Sequence, residues 1–142
     1  MKDNQGYLII NLDSDRLLDE EVEILNNKFI GGVLLFEHNF INNDQIKSLI
    51  ESIKSVNSNL LIAIDHEGGR VQRFKEGFTS LPSFSSIGSI HITDHSLADE
   101  IAYNSGYIAG YELKTIGVDI NFSPVVDLSA NSDVLSSRTF SE

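Results

Sequence analysis

The segment Asp65-His66-Glu67-Gly68-Gly69-Arg70-Val71-Gln72-Arg73 holds the densest group of chemically capable side chains. Asp65 and Glu67 are two apart, so on an extended backbone they face the same side. Gly68-Gly69 permits a tight turn and a close ligand approach. Arg70 and Arg73 offer planar, paired donors. From the residues alone two readings stay open: a loop that grips a polar ligand, or a β-hairpin turning at Gly-Gly. A third makes Asp65 and Glu67 the carboxylate pair of a glycosidase, although carboxylates at this spacing are common on solvated edges. Outside this segment, Glu37, His38 and Asn39 follow one apolar run, Asp127 follows another, and Arg138 lies farther along. Asp127 either binds ligand, caps a turn or pairs with an arginine. Arg138 taken alone reads as a surface residue.

Other chemistries find less support. His38, His66, His91 and His95 share no HExxH-like spacing, so hydrogen bonding or surface exposure is expected and no metal site. Gly31-Gly32 lacks the flanking pattern of a dinucleotide loop or a P-loop lysine, which disfavours a doubly wound phosphate-binding enzyme. There are no cysteines among the 142 residues, excluding disulfides, thiolate zinc sites and cysteine nucleophiles. Ten Lys+Arg against 21 Asp+Glu leave a formal charge of −11. That balance argues against nucleic acid as a partner. Hydrophobic residues at 41% and charged residues at 22% describe a globular chain long enough for one domain. No leader peptide or membrane-length apolar run is read from the polar N-terminus, so a soluble cytoplasmic protein is expected.

The elements that must carry these residues alternate. Tyr7–Leu12 reads as a strand, and Asp13-Ser14-Asp15 as the cap of a helix to about Asn27, burying Leu17, Leu18, Val22 and Leu25. Gly31-Gly32 is expected to break the chain before a second strand, Val33–Phe36. Asn42 and Gln45 open a second helix, with Ile46, Leu49, Ile50, Ile53 and Val56 on one face. Leu60–Ile64 is a third strand that runs into Asp65. The Ser-, Gly- and Phe-rich stretch from Phe74 to about Thr93 reads as a long loop. A third helix, Ser96 to Ile116, places Ala98, Ala102, Ser105, Ala109, Leu113 and Ile116 on a narrow face. Gly106 and Gly110 would allow close backbone approach, and Gly117 stops the helix. Val118–Asp127 is a fourth strand leading into a loop. Four apolar strands with helical crossovers, all expected to be buried on both faces, specify a parallel α/β sheet, either open or part of an eight-stranded barrel. A full barrel needs roughly 250 residues, so a barrel would be represented here by its first half. In either case ligands bind at the C-terminal strand ends, where the polar residues gather.

Four ordered blocks then resemble one family. They are Gly31–Phe36 with Asn39; Asp65–Phe74 with Gly77-Phe78-Thr79 and Leu81-Pro82; Asp119–Asp127; and Ser137-Arg138-Thr139-Phe140. Together they are similar to bacterial β-N-acetylhexosaminidases of glycoside hydrolase family 3, the NagZ type. The resemblance implies a parallel (β/α)8 TIM-type barrel, of which this chain holds roughly the first four strands. Residues 1–142 would then be the N-terminal half of a single catalytic barrel, with no second domain. The implied activity is retaining hydrolysis of terminal, non-reducing β-linked N-acetylglucosamine from muropeptide fragments in cytoplasmic peptidoglycan recycling, without a cofactor. Family substrate-binding positions match Asp65, Arg73 and Arg138, while Glu67, Arg70 and Asp127 are expected to support the site.

Two departures from the family pattern stand out. His66 occupies a position where that block usually carries Gln. The family's nucleophilic Asp and its His–Asp acid/base pair fall at positions beyond Glu142, so no catalytic residue is assigned here. Alone, the chain is expected to be inactive, and an open barrel edge would favour self-association. The alternative is a non-catalytic sugar-binding or decayed half-barrel protein.

Overall fold

A computed structural model describes residues 6–128 and 133–140. The polar start, Met1–Gln5, and the end, Ser141-Glu142, lie outside the described residues. The chain divides into two compact units, one of Met1–Ile64 with Leu113–Asn121 and one of Asp65–Glu112 with Phe122–Glu142. Among the described residues no helix is long and apolar enough to cross a membrane.

The first unit contains β1 (Leu8–Ile10), α1 (Asp19–Leu25), β2 (Ile30–Leu35), α2 (Asn43–Val56), β3 (Leu61–Ile64) and, later in the chain, β6 (Ile120–Asn121). Its four strands pair in parallel in the order β1-β2-β3-β6. Parallel neighbours need crossovers, and α1 and α2 supply them. The core is aliphatic: Val33, Leu35, Ile46, Ile53, Ile62 and Ile64 are fully buried. Burial on both faces holds for the central strands β2 and β3, but not for the edge strands: Leu8 and Ile9 of β1 are exposed, and both residues of β6 are only partly buried.

Two expectations in this unit are corrected. Gly31-Gly32 does not break the chain but lies inside β2. A Cβ at Gly31 would clash with the Gly6 carbonyl oxygen, and one at Gly32 would sit 2.5 Å from that of Leu61. The glycines are there because neighbouring backbone comes too close for a side chain. The first helix begins at Asp19 rather than at Asp13–Asp15, and of the four predicted apolar residues only Leu25 is fully buried. The buried Glu21 carboxylate accepts from the Asp13 and Leu18 N–H groups, both at 2.9 Å. A carboxylate one turn inside the helix thus does the capping that the Asp-Ser-Asp run was expected to do. The second helix follows its pattern: Asn42 caps it by accepting from the Gln45 N–H.

The second unit contains β4 (His66–Gly68), β5 (Val71–Gln72), α3 (Phe84–Thr93) and α4 (His95–Thr115), whose last turn belongs to the first unit. The expected loop over Phe74–Thr93 is corrected: its second half is α3. Ser83 caps α3 by accepting from the Ser86 N–H, and Phe84 and Ile87 are buried with Ala98 of α4. A Cβ at Gly88 would meet the Phe140 carbonyl oxygen, so this glycine marks close packing rather than a loop. On α4 the narrow face buries Ala98, Ala109 and Leu113. Gly106 and Gly110, however, have nothing within 4 Å of a Cβ position, and the expected close approach is absent among the described residues. They are flanked by an exposed ridge of Tyr103, Tyr107 and Tyr111, with the last two rings stacked.

Candidate functional site

The hairpin reading of the Asp65–Arg73 segment is correct, and it does not displace the ligand reading. β4 and β5 pair antiparallel, with His66 opposite Gln72 and Gly68 opposite Val71. The turn holds Gly68 at φ 100° and Gly69 at φ 54°, a left-handed conformation that side chains disfavour. Asp65, just past β3, and Arg73, just past β5, therefore stand at the two open ends of one hairpin. Arg73 Nη2 lies 3.5 Å from Asp65 Oδ2, and both side chains are about one-quarter exposed. That is an ion pair at the loose limit of hydrogen-bond geometry, which a ligand hydroxyl can enter.

Glu67 is different. Its side chain is 2% exposed. Arg138 grips it with two donors, Nε to Oε2 at 2.9 Å and Nη2 to Oε1 at 2.6 Å. This is the parallel fork of a guanidinium on a carboxylate, the stronger form of such pairs. The Glu67 hydrogen bond raises the basicity of Arg138 above the usual arginine value; burial opposes this, and the charges of Glu67 and then Asp65 add to it. Both carboxylates thus act on Arg138, as their two-residue spacing suggests. Arg70, at the turn, donates from Nη2 to the Val134 carbonyl and ties the hairpin to the same segment that carries Arg138. Five of the six singled-out residues are therefore joined in pairs or ties. Asp127 stands apart: it is exposed, and its carboxylate accepts from the Leu128 N–H at 2.8 Å, a local turn bond.

Gln72 and Glu112, given no role from the sequence, complete the scaffold together with His66, His38 and Asn39. Gln72 is buried; its amide donates to the carbonyls of Phe74 and Thr79 and accepts from the Leu81 N–H. Those bonds shape the loop after β5. Glu112 of α4 holds the same loop through the Thr79 hydroxyl at 2.6 Å. An amide that serves three backbone groups has no sequence periodicity to betray it. His66 is packed beside Phe74 and Phe78. Burial lowers its pKa from 6.5 to about 4, against the opposing pull of Glu112, so the ring is neutral near pH 7. In the first unit, His38 bonds the Leu12 carbonyl at 2.8 Å, and Asn39 is fully buried with its amide on the Leu12 and Ser14 carbonyls. Both hold loops. No cluster of three or more metal-capable side chains occurs among the described residues.

With this geometry in view, the chain matches the glycosyl hydrolase family 3 N terminal domain over residues 5–142. The chain belongs to glycosyl hydrolase family 3. It is 42% identical over 139 residues to the beta-hexosaminidase of Neisseria meningitidis serogroup B, covering 96% of this chain and 38% of the relative. It is 41% identical over 135 residues to the beta-hexosaminidase of Psychromonas ingrahamii, covering 94% and 40%. Among solved structures, NagZ from Neisseria gonorrhoeae in complex with N-trifluoroacetyl-D-glucosamine superposes with a TM-score of 0.93 at 40% identity, covering 97% of this chain and 42% of that one. A family 3 β-N-acetylglucosaminidase from Paenibacillus gives a TM-score of 0.72 at 27% identity, covering 82% and 22%. The family fold is of the TIM-barrel type, and this chain supplies a parallel α/β sheet of four of its strands. It spans about two fifths of the length of the beta-hexosaminidases it matches.

Proposed function

We propose that this chain forms the sugar-gripping N-terminal half of a single family 3 barrel acting as a retaining β-N-acetylhexosaminidase. The substrate is a terminal, non-reducing β-linked N-acetylglucosamine on muropeptide fragments, processed in the cytoplasm. Asp65, Arg73 and Arg138 contact the sugar. Glu67 and Arg70 hold them in place, and Asp127 shapes the adjoining loop. The observation that carries this reading is the pair of arginine–carboxylate couples built on one hairpin, in a chain of a glycosidase family. A carboxylate accepts from vicinal hydroxyls while guanidinium groups donate to others, which fixes a pyranose ring. The NagZ from Neisseria gonorrhoeae is described with a glucosamine derivative bound, which supports an amino sugar as ligand.

The chemistry is double displacement: a carboxylate attacks the anomeric carbon, an acid protonates the leaving oxygen, and water releases the sugar. On this reading neither the attacking carboxylate nor the acid is assigned among the described residues. Glu67 is 2% exposed and both of its carboxylate oxygens accept from Arg138, so it is occupied as a partner of that guanidinium. Asp65 is engaged by Arg73. The chain contributes positioning, which lowers the barrier only when reacting groups are supplied. Titration of the purified chain with N-acetylglucosamine, alongside an aryl N-acetyl-β-glucosaminide assay, tests this. Binding without turnover is expected. Turnover would refute the assignment of catalysis to other residues, and absence of binding would refute the sugar site.

A further inference from the structure

The charge balance of the site carries one step more, which rests on the sugar-site reading above. A guanidinium has five N–H donors. Glu67 takes the Nε–H and one Nη2–H of Arg138. The remaining donors, both on Nη1 and one on Nη2, have no partner among the described residues. Arg138 is thus presented as a donor edge whose positive charge is already met, on its other edge, by a carboxylate 2% exposed. Arg73 is likewise matched by Asp65. These two couples therefore offer directional donors without net positive charge, in a chain of formal charge −11; Arg70, bound to the Val134 carbonyl, is a further cation of the hairpin and is unchanged in every variant compared below.

We propose that Glu67 is a specificity-determining residue: by neutralising Arg138 from behind, it makes the site accept neutral hydroxyl-bearing sugars and reject anionic ones. A hydroxyl needs only a well-placed donor. A phosphate or carboxylate loses more solvation on binding and gains less from donors whose charge is already met, as the buried Glu67 meets that of Arg138. Arg138 alone would be an anion site, because a planar fork suits phosphate and carboxylate oxygens equally.

The test uses the full chain, Glu67→Gln, and the double variant Glu67→Gln/Arg138→Gln. Each is titrated with N-acetylglucosamine in chloride and in phosphate of equal ionic strength, and with inorganic phosphate alone. Amide spectra confirm the fold. The wild-type chain should bind sugar equally in both buffers and ignore phosphate. In Glu67→Gln, phosphate should bind and raise the apparent Kd for sugar about tenfold, the scale of one uncompensated charged hydrogen bond. The double variant should lose that sensitivity, which places the effect on Arg138. Competition by phosphate in the wild-type chain, or a folded Glu67→Gln blind to phosphate, overturns the proposal. Should Glu67→Gln not fold, the wild-type chain decides through the matching uronic acid. Binding about tenfold weaker than the neutral sugar is expected, and equal or tighter binding overturns the role of Glu67. Sugar binding without these preferences removes this inference alone; no sugar binding removes the site reading with it.

Discussion

The two units of this chain are held together by different means. In the unit of β1, β2, β3 and β6, buried side chains are aliphatic with few exceptions, and the strands are joined by backbone ladders. Its buried polar residues, Glu21 and Asn39, serve backbone groups of nearby loops. In the hairpin unit the burial is mixed. His66, Glu67, Gln72 and Thr139 are buried beside Phe74, Phe84 and Ile87. Aliphatic burial is non-directional and tolerates small shifts. Buried polar groups have directional partners, and losing one leaves the other stranded. The unit carrying the candidate site is thus built from interactions that fix angles, at the cost of greater sensitivity to single changes and to pH.

That contrast can be broken or sharpened by experiment. Ile62→Ala in the fully buried centre of β3 should cost about 4 kcal/mol, the usual scale for a large-to-small core change. Denaturant unfolding measures it, and hydrogen exchange should show β2 and β3 amides losing protection most. Arg138→Ala should cost about 3 kcal/mol, since it strands the buried Glu67 carboxylate. Its loss should fall on amides of the hairpin unit, and a uniform loss across both units would erase the distinction drawn here. Acid should act on the hairpin unit through His66. Its folded pKa of about 4 lies below the unfolded 6.5. Stability is therefore complete above pH 6.5 and declines as pH falls to about 4, by on the order of 3 kcal/mol. His66→Gln should flatten that segment of the pH–stability curve; an unchanged slope would acquit the ring. Smallest are the caps: Asn42→Ala and Ser83→Ala should each cost about 1 kcal/mol, and near-equal values would show that capping is indifferent to the style of core.

Legibility in the sequence follows the same division. The sheet unit is readable because aliphatic periodicity records burial directly: the face of α2 and the runs of β2 and β3 lie where their pattern puts them. Its failures are positions where backbone proximity or a side-chain cap overrides local propensity, as at Gly31-Gly32 and Glu21. The hairpin unit is less legible. Ser and Gly in 83–89 resemble a loop until Phe140 is known to lie against Gly88. The residues of the site are nameable from the Asp65–Arg73 block, because paired carboxylates and arginines advertise polar chemistry. Their pairing is not, because the partner of Glu67 is 71 residues away and no local rule selects Arg138 over Arg70 or Arg73.

The ridge on α4 has a spectroscopic consequence. The chain has no tryptophan and four tyrosines. Tyr103, Tyr107 and Tyr111 are all more than 60% exposed, and Tyr7 is 77% exposed. Every intrinsic fluorophore of useful intensity therefore sits in water before unfolding begins. Emission and near-ultraviolet absorbance will change little across the transition, and a flat trace must not be taken for an unfolded or an indestructible protein. Melting of this chain has to be followed through its peptide groups.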